Sequence, residues 1–108
     1  GGWVTSPALV FTGEDAYITA DVQPGGCLEY AVRRAPMGFY AHAEPIPGYD
    51  FSDAETARPS GHIPVKFRGR ALSGLGEEEN VVLMIRVRNA TVYGFGGDVR
   101  AKFPRGRG

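Results

Sequence analysis

Glycine and proline interrupt this chain so often that long helices have little room to form. The sixteen glycines and eight prolines leave segments of strand length, about five to eight residues each. Inside these segments the hydrophobic residues recur at every second position, which is the pattern of a half-buried strand. In residues 16–22, Ala16, Ile18, Ala20 and Val22 fall on one face, and Tyr17, Thr19 and Asp21 on the other. In residues 27–34, Leu28, Tyr30 and Val32 alternate with Glu29 and Arg33. Ile63, Val65 and Phe67 form an inward set in residues 62–68, with His62, Lys66 and Arg68 outward. The clearest alternation is in residues 81–88, where Val81, Leu83, Ile85 and Val87 oppose Met84, Arg86 and Arg88.

The breakers between these segments read as turns. Residues 12–15 and Asn89-Ala90 turn the chain, and Gln23-Pro24-Gly25-Gly26 is expected to close a hairpin, since proline fixes φ and glycine reaches φ > 0. Pro7 and Pro64 cannot donate to a ladder, so residues 3–11 and 62–68 read as edge strands. A short strand is expected at 39–43 and a closing strand at 91–95, with Tyr93 and Phe95 inward. Residues 44–61 read as an ordered loop anchored by Ile46, Tyr49 and Phe51. Residues 71–76 have room for a single helical turn. The expected fold is all-β, a single antiparallel β-sandwich of about seven or eight short strands. It would occupy residues 1–98, followed by a basic tail, 99–108, carrying Arg100, Lys102, Arg105 and Arg107.

At 108 residues the chain is one domain's worth of sequence. Twelve basic and twelve acidic residues cancel, which speaks against nucleic acid as a partner and removes the repulsion that opposes self-association. No apolar run approaches the roughly 20 residues of a membrane-spanning helix, so no membrane partner is expected. Cys27 is the single cysteine. It can form no intramolecular disulfide and has no neighbouring base to activate it, so it reads as an ordinary strand residue. The opening Gly1-Gly2-Trp3 carries no signal pattern and reads as the start of a domain taken from a longer protein.

Catalytic constellations are weak throughout. His42 and His62 have no zinc-ligand spacing around them. Ser6, Ser52, Ser60 and Ser73 lack the G-x-S-x-G setting of an activated nucleophile. Gly94-Phe95-Gly96-Gly97 precedes no helix and so forms no phosphate cradle. Asp50, Asp53 and Glu55 admit three readings: an acid–base pair around a sugar, oxygen ligands for calcium, or solvated loop carboxylates. The last fits best, because the spacing matches no calcium-loop pattern. No catalytic residue, metal ligand or cofactor is therefore expected. Among the aromatics, Trp3, Tyr17, Phe39, Tyr40 and Tyr49 are the ones expected to be partly exposed. A flat aromatic face can stack on a sugar ring or pack on a neighbouring domain.

Three segments, taken in order, form a further pattern. The first is Gly2-Trp3-Val4-Thr5-Ser6-Pro7 with Leu9, Phe11 and Gly13. The second is Pro45-Ile46-Pro47-Gly48-Tyr49 with Asp50, leading to the strand around Phe67. The third is Val81 to Val87 followed by Asn89-Ala90-Thr91-Val92-Tyr93-Gly94-Phe95. Together they resemble the C-terminal β-sandwich accessory module that follows the catalytic domain in some bacterial glycoside hydrolases and related hypothetical proteins. The chain departs from that pattern where Phe67 replaces a tryptophan and where the loop reads Ser52-Asp53-Ala54-Glu55. The resemblance implies a non-catalytic module that packs on its neighbouring catalytic domain or assists carbohydrate contact. On that reading Tyr49 is the expected stacking face, with Asp50 and Asp53 accepting hydrogen bonds from sugar hydroxyls. The alternative is a structural domain that binds a protein partner through an edge strand.

Overall fold

The computed structural model describes residues 2–35, 43–55, 61–76 and 80–101. Its five strands are β1 (Gly2–Thr5), β2 (Leu9–Arg34), β3 (Glu44–Pro45), β4 (Gly61–Pro64) and β5 (Val81–Ala101). Two single 3₁₀ turns, Phe51–Asp53 and Leu72–Leu75, complete the regular structure. The second of these is the helical turn expected between residues 71 and 76. The strands form one sheet in the order β1-β5-β2-β3, with β4 also paired to β2. The all-β expectation holds. The seven or eight short strands do not, because two very long strands replace several short ones.

That difference has a local cause. Residues 23–26 do not close a hairpin. Val22 pairs with Ala90 and Cys27 with Arg88, so the four residues stand opposite Asn89 alone. Residues 12–15 behave in the same way: Phe11 pairs with Val99 and Ala16 with Gly97, leaving Asp98 as their sole counterpart. Both stretches are large bulges in one continuous strand, which bend it and raise its twist without reversing it. Glycine serves the bulge as well as it serves a turn: Gly25 takes φ 79°. The chain also bends at Asn89, the one described non-glycine residue at positive φ (49°), a conformation that asparagine tolerates. Across the bends β2 and β5 remain antiparallel, with Leu28 beside Val87, Glu29 beside Arg86 and Tyr30 beside Ile85. The result is a sheet curled into a half-barrel.

The concave face holds the core. Ile18, Tyr30, Val32, Val65, Leu83 and Ile85 are all buried there, joined by Leu9, Ala16, Ala20, Leu28, Ile63 and Phe67. Apart from Leu9, these are the inward positions of the period-two pattern. Val87 and Phe95 are partly buried against the same cluster. Tyr93 is the exception: expected inward, it is 68% exposed. Thr19 pairs with Gly94 and Ala20 with Val92, so Tyr93 is an extra residue with no partner and is turned out of the ladder.

β1 and β4 lie at sheet edges, and Pro64 ends β4. The single edge strand expected over residues 3–11 instead divides around Pro7, and Leu9 to Phe11 belong to the inner strand β2. Gly2 to Thr5 pair with Val87 to Met84. Ser6 then continues the register: its N–H donates to the Leu83 carbonyl at 2.9 Å, and its buried hydroxyl accepts from the Leu83 N–H at 2.8 Å. β5 runs on to Ala101, and Val99 and Arg100 pair with Phe11 and Val10. The boundary expected after residue 98 therefore falls inside a strand. Residues 102–108, and the short strand expected at 39–43 apart from residue 43, lie outside the described residues.

Candidate contact site

The loop from Ile46 to Glu55 holds the three residues singled out by sequence, and it uses them to hold itself together. Tyr49 is 5% exposed. Its ring meets Phe67 edge-on at 5.3 Å, and its hydroxyl donates to the Ala71 carbonyl at 2.6 Å. Burial raises its pKa. The stacking role expected of Tyr49 is corrected by this geometry: the ring anchors the loop and offers no open face. The Asp50 carboxylate accepts from Arg33 Nη2 at 2.9 Å and Nε at 3.2 Å. Asp53 accepts from the Asp50 backbone N–H at 3.2 Å. Both side chains are thus occupied in fixing the 3₁₀ turn and tying it to β2. Glu55 joins through its backbone, where the buried Tyr30 hydroxyl donates to either the Glu55 or the Lys66 carbonyl while accepting from the Lys66 N–H. Among the described residues no group of three His, Cys, Asp or Glu is placed to hold a metal ion.

The exposed chemistry gathers elsewhere, on the convex face where β1, β5 and β2 run side by side. Register places Trp3, Arg86 and Glu29 in one row across the three strands. Arg86 Nε donates to Glu29 Oε1 at 2.7 Å. Its guanidinium lies 5.6 Å from the Trp3 ring centre and 4.3 Å from that of Phe51. Phe51 meets Trp3 edge-on at 5.7 Å and is itself flanked by the Arg33 guanidinium at 5.2 Å. The row is therefore braced by two cations interleaved with two aromatic rings, each contact of the cation–π kind. Trp3 is nonetheless 56% exposed. It borders an open groove of about 400 Å³ whose other walls include Cys27, Glu29, Arg86 and Arg88. The Cys27 side chain is exposed and sits opposite Arg88.

Sequence reading named Trp3 among the exposed aromatics and set Arg86 outward. It missed that Phe51 leaves the core to pack on them, which depends on a loop returning across the sheet. Tyr17, on β2, is half-buried and stacked flat on His62 at 4.1 Å. This pair borders a shallower pocket of about 210 Å³ with Asp15 and Lys66. Phe39 and Tyr40 lie outside the described residues.

Comparison with known protein families, with curated proteins and with solved structures finds no match for this chain.

Proposed function

We propose that this domain is a non-catalytic β-module of a carbohydrate-active enzyme, and that it assists carbohydrate contact through the groove beside Trp3. The observation that carries this reading is a large aromatic ring that is both exposed and held in place. Trp3 keeps more than half its surface open while Arg86 and Phe51 brace it. A ring fixed in this way loses little freedom when a sugar stacks on it. Glu29 and Arg86 line the same groove and supply an acceptor and donors for hydroxyl groups.

The second reading is a protein-interaction domain that takes up a partner strand. It is favoured by β1, which pairs with β5 on one side only and carries Val4 at 40% exposure beside Trp3. Such an edge is a template for an added strand.

The test is an NMR titration with neutral oligosaccharides of four to six sugars. Saturable shifts at the Trp3 indole N–H are expected, with a dissociation constant of about 1 mM or weaker, near −4 kcal/mol. Trp3→Ala should keep a dispersed spectrum and lose those shifts. Unchanged binding by Trp3→Ala, or no saturable shift in either protein, overturns the carbohydrate reading.

A further inference from the structure

The cations lining the Trp3 groove are not equivalent. Arg86 is paired with Glu29 at 2.7 Å. Arg33, which flanks Phe51 next to the row, is paired with Asp50 at 2.9 Å. Arg88 also lines the groove, is exposed, and has no hydrogen bond or ion pair with any described residue. Among the described residues, the wall formed by Glu29, Arg86 and Arg88 therefore carries one positive charge without a counter-charge, although the chain as a whole is neutral. That charge lies one register step beyond the Trp3 row: Arg88 and Cys27 follow Arg86 and Glu29 on the same face of the same two strands. Residues two apart on a strand stand about 7 Å apart, on the order of the width of one pyranose ring.

From this juxtaposition we infer that the groove prefers acidic sugars, with a carboxylate-bearing pyranose stacked on Trp3 and its carboxylate held by Arg88. The planar guanidinium fork matches a carboxylate with two parallel N–H···O bonds. Glu29 does not repel the ligand's charge at short range, because Arg86 neutralises it. A neutral sugar would gain the stacking and leave the Arg88 fork to water. The inference rests on the carbohydrate reading above and narrows it to uronic-acid-containing chains.

The experiment compares a trigalacturonate with the same trisaccharide after its carboxylates have been reduced to alcohols. Ring shape and linkage are then unchanged and only the charge differs. Both are titrated into the wild-type chain, Arg88→Gln and Trp3→Ala, with the folded state of each variant checked by its amide spectrum. Wild type should bind the acid about fivefold more tightly than the reduced sugar, the scale of an exposed ion pair. Arg88→Gln should bind the two alike, and Trp3→Ala should bind neither. Raising the salt to 1 M should shrink the wild-type preference, since the Debye length falls to about 3 Å. Equal wild-type affinity for both sugars, or a preference that survives Arg88→Gln, overturns the acidic-sugar inference while leaving carbohydrate contact in place. Binding of the acid alone that survives Trp3→Ala marks diffuse charge attraction and overturns it too. Failure of wild type to bind either sugar removes both readings together.

Discussion

Gly26 and Asn89 approach so closely across the second bend that a Cβ on Gly26 would lie 2.5 Å from the Asn89 carbonyl oxygen and 2.6 Å from that of Arg88. Both obstacles are backbone atoms of the facing strand. Neither can swing aside as a side chain would. The bend therefore depends on a missing methyl group at this position.

Gly26→Ala should accordingly destabilise the domain by about 1–3 kcal/mol, the range seen when atoms are forced into packed space. Gly2→Ala is the control, because a Cβ there meets nothing within 4 Å. Urea unfolding of the two variants checks this. Equal midpoints would mean the bend relaxes freely.

The inward positions of β5 should separate sharply from Tyr93. Ile85 is 2% exposed in the core, and Tyr93 is 68% exposed. Ile85→Ala should lose about 2–5 kcal/mol, whereas Tyr93→Ala should stay within about 0.5 kcal/mol of wild type. A large loss at Tyr93 in denaturant melts would place the bulge elsewhere.

Tyr30 joins β2 to the segments at Glu55 and Lys66 through one hydroxyl. Tyr30→Phe removes these part-buried hydrogen bonds and should cost about 1 kcal/mol. Burial is the main cause that lifts the Tyr30 pKa above its ordinary 10.0. The folded state thus holds that proton more tightly than the unfolded chain does. Its contribution is complete below pH 10 and is lost as pH rises through the folded pKa. Alkaline unfolding should therefore begin later in Tyr30→Phe than its stability at neutral pH implies, as followed by circular dichroism.

Glu14, in the first bulge, accepts from the Leu72 N–H at 2.7 Å and the Ser73 N–H at 2.9 Å. Those two backbone donors, Leu72 first, lower its pKa from the ordinary 4.5. The stabilisation is present above that value and is lost as pH falls through the lowered one. Glu14→Gln should reduce stability at pH 7 and flatten the acid limb of the stability curve below pH 4.5. An unchanged limb in acid titration would show that the carboxylate does not hold the 3₁₀ turn.

The face each strand turns inward was legible from sequence, because alternation is a local property. Ile18, Tyr30, Ile63, Phe67, Leu83 and Ile85 all follow it. Which strand pairs with which was not. Gln23-Pro24-Gly25-Gly26 has the chemistry of a reversal, and the same residues suit a bulge. Only the length of uninterrupted partner in β5 decides between them, and that lies more than fifty residues away in the chain. Tyr93 was misplaced because one added residue inverts the alternation. At the site, the exposure of Trp3 was anticipated and its bracing by Arg86 and Phe51 was not, since that follows from the β1–β5 register. Tyr49 shows the reverse case. An aromatic in a proline-rich loop reads equally as a platform or as an anchor, and its burial settles which.

The long β2–β5 ladder also dictates when the fold can begin to form. Its pair closest in sequence is Arg34 with Val81, and its most distant is Leu9 with Ala101. No part of β2 can therefore find its main partner until the ribosome has delivered residues from 81 onward. Until then the apolar face of Leu28, Tyr30 and Val32 waits without β5, in the condition that invites aggregation. Closing the ladder by steps outward from Arg34–Val81 keeps each new loop small, and the two bends are then passed in turn, the Asn89 bend first and the Asp98 bend last. A chain so dominated by distant pairings belongs with proteins that fold in milliseconds to seconds, not microseconds.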